Sequence, residues 1–311
     1  MVEEKKEELL LGKVISAHGT GFYVQVGEDV LFCKLRGKMR LKDKVSTSPV
    51  VAGDNVKVRV LEDGTGVIEE VLERYNKLYR RAVGKRDLEH VIVANIDQAI
   101  VVTSFNMPHV PWGFVDRLLV ASERNNIKPI ICINKIDLIE DWREVNDFIK
   151  VYGKKVGYEI IKTSAVTGEG IEDLKKILKD KTSVFVGQSG VGKSALINAI
   201  EPGLDVVTGE VSEKTGKGRH TTTHTELHWL SFGGFIADTP GIKEFGLAGI
   251  EKEELGFYFP EFRKYIDNCK FSNCTHTHEP DCAVKDALYA GKIDKRRYMS
   301  YVNILNSLGQ D

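Results

Sequence analysis

Two rhythms divide the chain. Between residues 9 and 72, apolar and polar positions alternate in short runs. The apolar ones are Val14, then Phe22, Val24 and Val26, then Val30 and Phe32, then Val56, Val58 and Val60. A period of two marks half-buried strands. Gly19, Gly21, Gly27, Gly37, Gly53 and Gly64 fall between or inside these runs and read as turns and bulges. Several short strands in so few residues predict a small barrel, and an oligonucleotide-binding fold is the natural candidate. From about residue 90 the period changes. Strand-like runs at 99–103, 130–133, 159–161, 183–186 and 235–237 alternate with helix-like runs at 115–124, 142–152, 171–178 and 193–199. That alternation predicts a parallel sheet covered by helices. A basic connector (Arg74, Lys77, Arg80, Arg81, Lys85, Arg86) joins the two regions. The tail from about residue 250 is helical in tendency and is interrupted by cysteines and histidines.

The chain has 311 residues, which suits two or three domains. The expected division is 1–75, 76–248 and 249–311. A net charge of −1 gives no global attraction for nucleic acid, so any such attraction is local. No apolar run approaches the roughly 18 residues of a membrane span. The expectation is a cytoplasmic protein with no membrane partner. Five cysteines are too few for a secreted disulfide scaffold, and a reducing compartment favours thiols or metal.

Candidate chemistry begins at Gly187-Gln188-Ser189-Gly190-Val191-Gly192-Lys193-Ser194, which fits G-x-x-x-x-G-K-[ST]. An apolar strand precedes it and a helix pattern starts at Lys193, the context this phosphate loop requires. The glycines let backbone N–H groups turn toward phosphates, and the helix N-terminus adds partial positive charge. Lys193 should reach the β and γ phosphates, and Ser194 should ligate Mg²⁺.

The base is read elsewhere. Asn134-Lys135-Ile136-Asp137 follows the apolar strand at 129–133. The Asp137 carboxylate offers two acceptors to guanine's N1–H and 2-amino group. Facing adenine it would stay unpaired, at a cost of about 1–3 kcal/mol. Asn134 should tie the base loop to the phosphate loop, and Lys135 should lay its stem on the base plane. In Ser164-Ala165, the backbone N–H of Ala165 would face guanine O6.

Asp238-Thr239-Pro240-Gly241 ends the strand at 235–237. Asp238 should hold Mg²⁺ through water, and Gly241 should offer its N–H to the γ-phosphate. The polar segment 213–223 lies where a nucleotide-sensing loop belongs. One of Thr221, Thr222 and Thr223 should complete the Mg²⁺ shell, with Thr222 favoured and the register open. Ile242 stands where many GTPases carry a water-positioning glutamine. His220 is equally a substitute for it and a solvated loop residue. The order is the informative feature: the base-reading segments precede the phosphate loop, as in a circularly permuted GTPase.

Cys269, Cys274, His276 and Cys282 form C-x₄-C-x-H-x₅-C. Three thiolates and one imidazole fit a closed, structural Zn²⁺ site. His278 is kept as a neighbour of the cluster or a surface residue. Cys33 and Cys132 lie in apolar runs and read as packed thiols. Arg36, Lys38, Arg40, Lys42 and Lys44 recur at every second position, so an extended segment would present them on one face as a basic stripe able to track phosphates.

Taken together, N-K-x-D, S-A, G-Q-S-G-V-G-K-S, R-H-T-T-T, D-T-P-G and the C-x₄-C-x-H-x₅-C run resemble the RsgA family, bacterial GTPases of small-ribosomal-subunit biogenesis. The resemblance covers nearly the whole chain. It implies an α/β fold: a circularly permuted P-loop GTPase domain, an N-terminal OB-fold barrel that binds RNA, and a C-terminal zinc-binding helical domain. It also implies GTP/GDP, Mg²⁺ and one structural Zn²⁺ as ligands. The implied partners are the small ribosomal subunit and its rRNA, with hydrolysis stimulated by the subunit and followed by release. The expected state is a monomer. Because the segment after Asp238 leads into the zinc domain, loss of the γ-phosphate should free residues 238–247 and shift that domain.

Overall fold

The computed structural model describes residues 9–19, 21–37, 49–81, 89–204, 225–238, 247 and 249–308. The chain forms two compact units. One comprises residues 1–97, 178–184 and 212–244, and the other residues 98–177, 185–211 and 245–311.

In the first unit, alternation resolves into five strands: β1 (Leu10–His18), β2 (Gly21–Val26), β3 (Asp29–Leu35), β4 (Asn55–Val60) and β5 (Gly66–Val71). The pairs β1–β2, β2–β3, β4–β5 and β1–β4 are antiparallel, and β3–β5 is parallel. These contacts close a ring, so no strand edge is left open. Val14, Val24, Cys33, Val56, Val58 and Ile68 point inward and fill it. A bulge between Val14 and Ser16 bends β1.

The stretch read as a basic connector contains a strand pair, β6 (Lys77–Arg81) with β7 (Glu89–Ala94). Its alternation is carried by Leu78, Val91 and Val93, all buried, while the intervening cations hide it from a sequence reading. Asn76 holds this region: its side chain donates to the Ile96 carbonyl at 2.6 Å and accepts from Ile96 N–H at 2.8 Å.

In the second unit, β8 (Gln98–Thr103), β9 (Lys128–Ile133) and β10 (Glu159–Lys162) run parallel, in register from Gln98↔Lys128 and Ile130↔Glu159. β8 is buried along its whole length, as a parallel strand covered on both faces must be. The helices are α1 (Trp112–Arg124), α2 (Arg143–Ile149) and α3 (Ile171–Leu178). α2 runs on as a π-helical stretch, Lys150–Val156, and stops at Gly157 in the left-handed region. Phe148 and Tyr152 stack at 4.1 Å across that junction.

β11 (Thr182–Val186) leads to the phosphate loop and α4 (Lys193–Ile200). Within the first unit, the start of β11 pairs in parallel with β13 (Phe235–Asp238), and β12 (Glu226–Trp229) pairs antiparallel with β13. β1 of the barrel joins β12 through Ser16↔Glu226. Lys13 on β1 donates to Thr182 Oγ1 at 3.1 Å, so the barrel and these strands form one body.

α5 (Pro260–Ile266), α6 (Ala283–Tyr289) and α7 (Lys295–Ser307) complete the second unit. They share a core with α1: Val120 and Ala121 pack in one cluster with Phe259, Phe262, Tyr301 and Ile304. At its edge Arg297, 1% exposed, forms a fork on Glu261 at 2.6 and 3.1 Å and also bonds Asp116. Tyr152 donates its hydroxyl to Asp116 at 2.7 Å. Among the described residues, no helix is long and apolar enough to cross a membrane.

Candidate nucleotide site and metal cluster

The phosphate loop is shaped by backbone that other residues could not follow. A Cβ at Gly187 would lie 2.4 Å from the Val102 carbonyl oxygen, and one at Gly192 would lie 2.5 Å from Asn134 Nδ2. Gly192 is left-handed, at φ +94°, and precedes the first residue of α4. The Lys193 ammonium curls over the loop and donates to the carbonyls of Gly187 at 2.9 Å and Gln188 at 3.0 Å. Burial lowers its pKa. It is thus held where a phosphate oxygen can take it from two neutral carbonyls. Ser194 follows in the first turn of α4, with Ser189, Gly190 and Val191 completing the loop.

Asn134 joins the base-reading segment to this loop. It is 1% exposed, and its Nδ2 donates to the Val191 carbonyl at 2.9 Å. Its Oδ1 accepts from the Thr163 hydroxyl at 3.2 Å, which orients the amide. Thr163 immediately precedes Ser164-Ala165, an adjacency that is its only signal in the sequence. Lys135 has φ +61° and donates Nζ to the Met107 carbonyl, beside the phosphate loop residue Gly190, which approaches Pro108. Asp137 sits exposed in the 3-10 turn Ile136–Leu138. Ser164 is buried and its hydroxyl accepts from Thr167 N–H at 3.1 Å, which leaves Ala165 half-buried at the rim. The structure therefore brings Asn134, Lys135, Asp137, Ser164 and Ala165 together with residues 187–194 in one unit. Asp238 ends β13, opposite Glu226. His220, Thr221, Thr222, Thr223, Gly241 and Ile242 lie outside the described residues. So do Lys38, Arg40, Lys42 and Lys44, while Arg36 lies just past β3 with its guanidinium on Glu69 at 2.6 Å.

Cys269, Cys274, His276 and Cys282 place their ligand atoms within 4.8 Å of one another. The sulfurs of Cys269 and Cys282 are 3.9 Å apart, nearly twice a disulfide bond and close to the edge of a tetrahedron with bonds of about 2.3 Å. His276 turns Nδ1 toward them, 3.6 Å from Cys269 and 3.5 Å from Cys282. Burial pushes the Cys274 thiol up. The loop is fixed from several sides. Glu279 accepts from Thr275 and Thr277 N–H at 2.7 and 3.0 Å. Tyr298 and Tyr301 donate to the His276 and Thr275 carbonyls, each at 2.7 Å. Gly256 lies against the ring: a Cβ there would sit 2.9 Å from His276 Nε2. His278 is exposed and bonds Thr277, apart from the cluster. The donor set fits a structural metal. Cys33 and Cys132 are buried, with thiols pushed up by burial to about 11 and about 12, which makes them inert.

The fold and this cradle define a circularly permuted GTPase. The family model described as RsgA GTPase matches residues 71–248, and that of the RsgA N-terminal domain matches residues 11–68. A small ribosomal subunit biogenesis GTPase RsgA of Caldanaerobacter subterraneus subsp. tengcongensis is 44% identical over 301 residues, covering 97% of this chain and 96% of that protein. Among solved structures, YjeQ from Thermotoga maritima matches with a TM-score of 0.81 and 39% identity, over 97% of this chain and 99% of that one. YloQ, described as a circularly permuted GTPase, matches at 0.77 and 34% identity, over 100% and 98%. The chain belongs to the RsgA GTPase family, and GTP hydrolysis is its activity.

Proposed function

We propose that this protein binds the small ribosomal subunit in its GTP state, assists or checks late assembly there, and leaves after hydrolysis. The observation that carries the reading is the Asn134 bridge to Val191, which makes base recognition and phosphate binding one rigid arrangement in a permuted chain. The relatives' role in small-subunit biogenesis suggests the partner.

Asp137 pairs with N1–H and the 2-amino group of guanine, Lys135 covers the base, and Ala165 N–H meets O6. Backbone N–H groups of 187–192 hold the α and β phosphates, and Lys193 exchanges its two carbonyl partners for β and γ oxygens. Ser194, Asp238 and one of Thr221, Thr222 and Thr223, with Thr222 favoured, would hold Mg²⁺, which would supply electrostatic stabilisation of the phosphate charge. Gly241 N–H would report the γ-phosphate. Cys269, Cys274, His276 and Cys282 would hold Zn²⁺ in a structural role. A cytoplasmic location fits this partner.

Ile242 has no group to orient water, so free turnover is slow, and docking on RNA is expected to bring His220 to the γ-phosphate. Hydrolysis is measured with the chain alone and with purified small or large subunits. Strong stimulation by the small subunit, lost in His220→Ala with GTP binding retained, is the expected result. Equal rates with and without small subunits would overturn the reading in favour of a nucleotide-gated RNA-binding switch. Stimulation by the large subunit alone would reassign the partner.

A further inference from the structure

The barrel carries an aromatic row that its core does not use. Val14, Val24 and Cys33 face inward, so the neighbouring positions of β1, β2 and β3 face out. On that outer face Tyr23 and Phe32 are directly paired across the strands, with ring centroids 5.5 Å apart. His18, at the end of β1, meets Tyr23 at 5.6 Å. Phe32 lies over Gly21, where a Cβ would come within 2.5 Å of its ring, so the bare glycine lets the ring lie flat along the sheet. Tyr23 remains 41% exposed, and the His18 side chain 38%.

Cross-strand aromatic pairing stabilises a hairpin by under about 1 kcal/mol. That accounts for Tyr23 meeting Phe32, but not for a third ring continuing the row into solvent. The surroundings say what the row suits. Lys34 is exposed on the same face, two residues beyond Phe32. Arg36 lies just past the end of β3. Acidic groups also border the row: Glu226 lies 3.9 Å from His18 Nε2, Glu69 holds Arg36 at 2.6 Å, and Asp63 is near enough to Lys34 to feel its charge. Rings beside cations suit bases beside phosphates. Three rings are too small an apolar area for a protein interface, which needs roughly 1,000 Å². Duplex bases are stacked on each other and offer such rings no free face.

We infer that Tyr23, Phe32 and His18 form a base-stacking platform for an unpaired stretch of RNA, with Lys34 on its phosphates. The inference rests on the RNA-binding reading above and names the surface that performs it.

The test uses the full chain and a fluorescein-labelled oligouridine of about 12 nucleotides, read by anisotropy. Tyr23→Ala weakens binding on the order of tenfold, and adding His18→Ala weakens it further. Tyr23→Phe keeps wild-type affinity. The salt dependence stays the same in all of them, because no phosphate contact is removed. Basal GTP hydrolysis is unchanged. A Tyr23→Ala protein within about twofold of wild type, or a hairpin duplex bound as tightly as oligouridine, overturns the platform. Ultraviolet cross-linking of the wild type covers the case in which Tyr23→Ala unfolds. Cross-links in residues 18–34 support the site, and cross-links only elsewhere overturn it. Co-sedimentation with small subunits separates the two readings. Sedimentation of Tyr23→Ala with unimpaired oligouridine binding refutes the platform alone, whereas a wild type that neither sediments nor binds RNA refutes both.

Discussion

The phosphate loop at 187–194 and the Cys/His loop at 269–282 lie in the same compact unit, yet the groups they offer to a ligand differ. The first presents backbone. Its glycines keep side chains out, Lys193 is parked on two carbonyls, and Asp137 stays exposed. Asn134 is the buried side chain that spans its two halves. The second presents side chains, three of its four ligands buried, in a loop tied by Glu279, Tyr298 and Tyr301. The difference teaches what each ligand is for. A ligand exchanged in every cycle is met by donors that water can also satisfy. A ligand that belongs to the fold is met by a cluster of mostly buried side chains.

The largest effect expected from this contrast is at the metal loop. Structural zinc contributes about 10–16 kcal/mol of binding free energy in small domains. Purified protein should carry one zinc per chain, and a strong chelator should lower the melting temperature sharply while Cys269, Cys274 and Cys282 become titratable. Acid should act in the same direction. Burial raises the Cys274 thiol above its ordinary value, so zinc must displace a proton to bind the thiolate. Zinc affinity therefore falls as pH falls. Folded, metal-free protein with an unchanged melt would break the contrast.

Arg297→Met comes next. It leaves Asp116 and Glu261 buried and facing each other without their shared cation. Removing one partner of a buried charge cluster costs about 3–5 kcal/mol, to be read in a denaturant melt. A loss below 1 kcal/mol would mean that the shared core of α1 and α5–α7 holds without the triad. At the phosphate loop, Lys193→Ala should reduce turnover about a hundred- to a thousandfold with little change in melting temperature. An equal loss of stability would show that the cradle is also structural. The smallest effect is Asp137→Asn, which should move preference from guanine to xanthine by about 1–3 kcal/mol, measured by competitive nucleotide binding. Unchanged GTP affinity would contradict the base-reading role.

The same contrast explains what could be read from the chain beforehand. The phosphate loop, N-K-x-D, S-A and the Cys/His run are each contiguous or nearly so, because each supplies its groups from one short loop. Barrel strands were legible because Val14, Val24 and Val56 alternate with polar residues. Arg297, Asp116 and Glu261 were not, since charges 36 and 181 residues apart leave no local pattern. The β6–β7 pair was hidden by Lys77 and Arg80, whose charges suggested a connector. Thr163 was missed because a threonine ending a buried strand looks like ordinary strand chemistry until Asn134 is seen beside it.

The central claim, a GTP-dependent grip on the small ribosomal subunit, is tested most directly by sedimentation. The full chain is mixed with separated small and large subunits, in GDP or in a non-hydrolysable GTP analogue. It should pellet with the small subunit in the analogue and stay in the supernatant in GDP. Equal pelleting in both nucleotides, or pelleting only with the large subunit, would contradict the account.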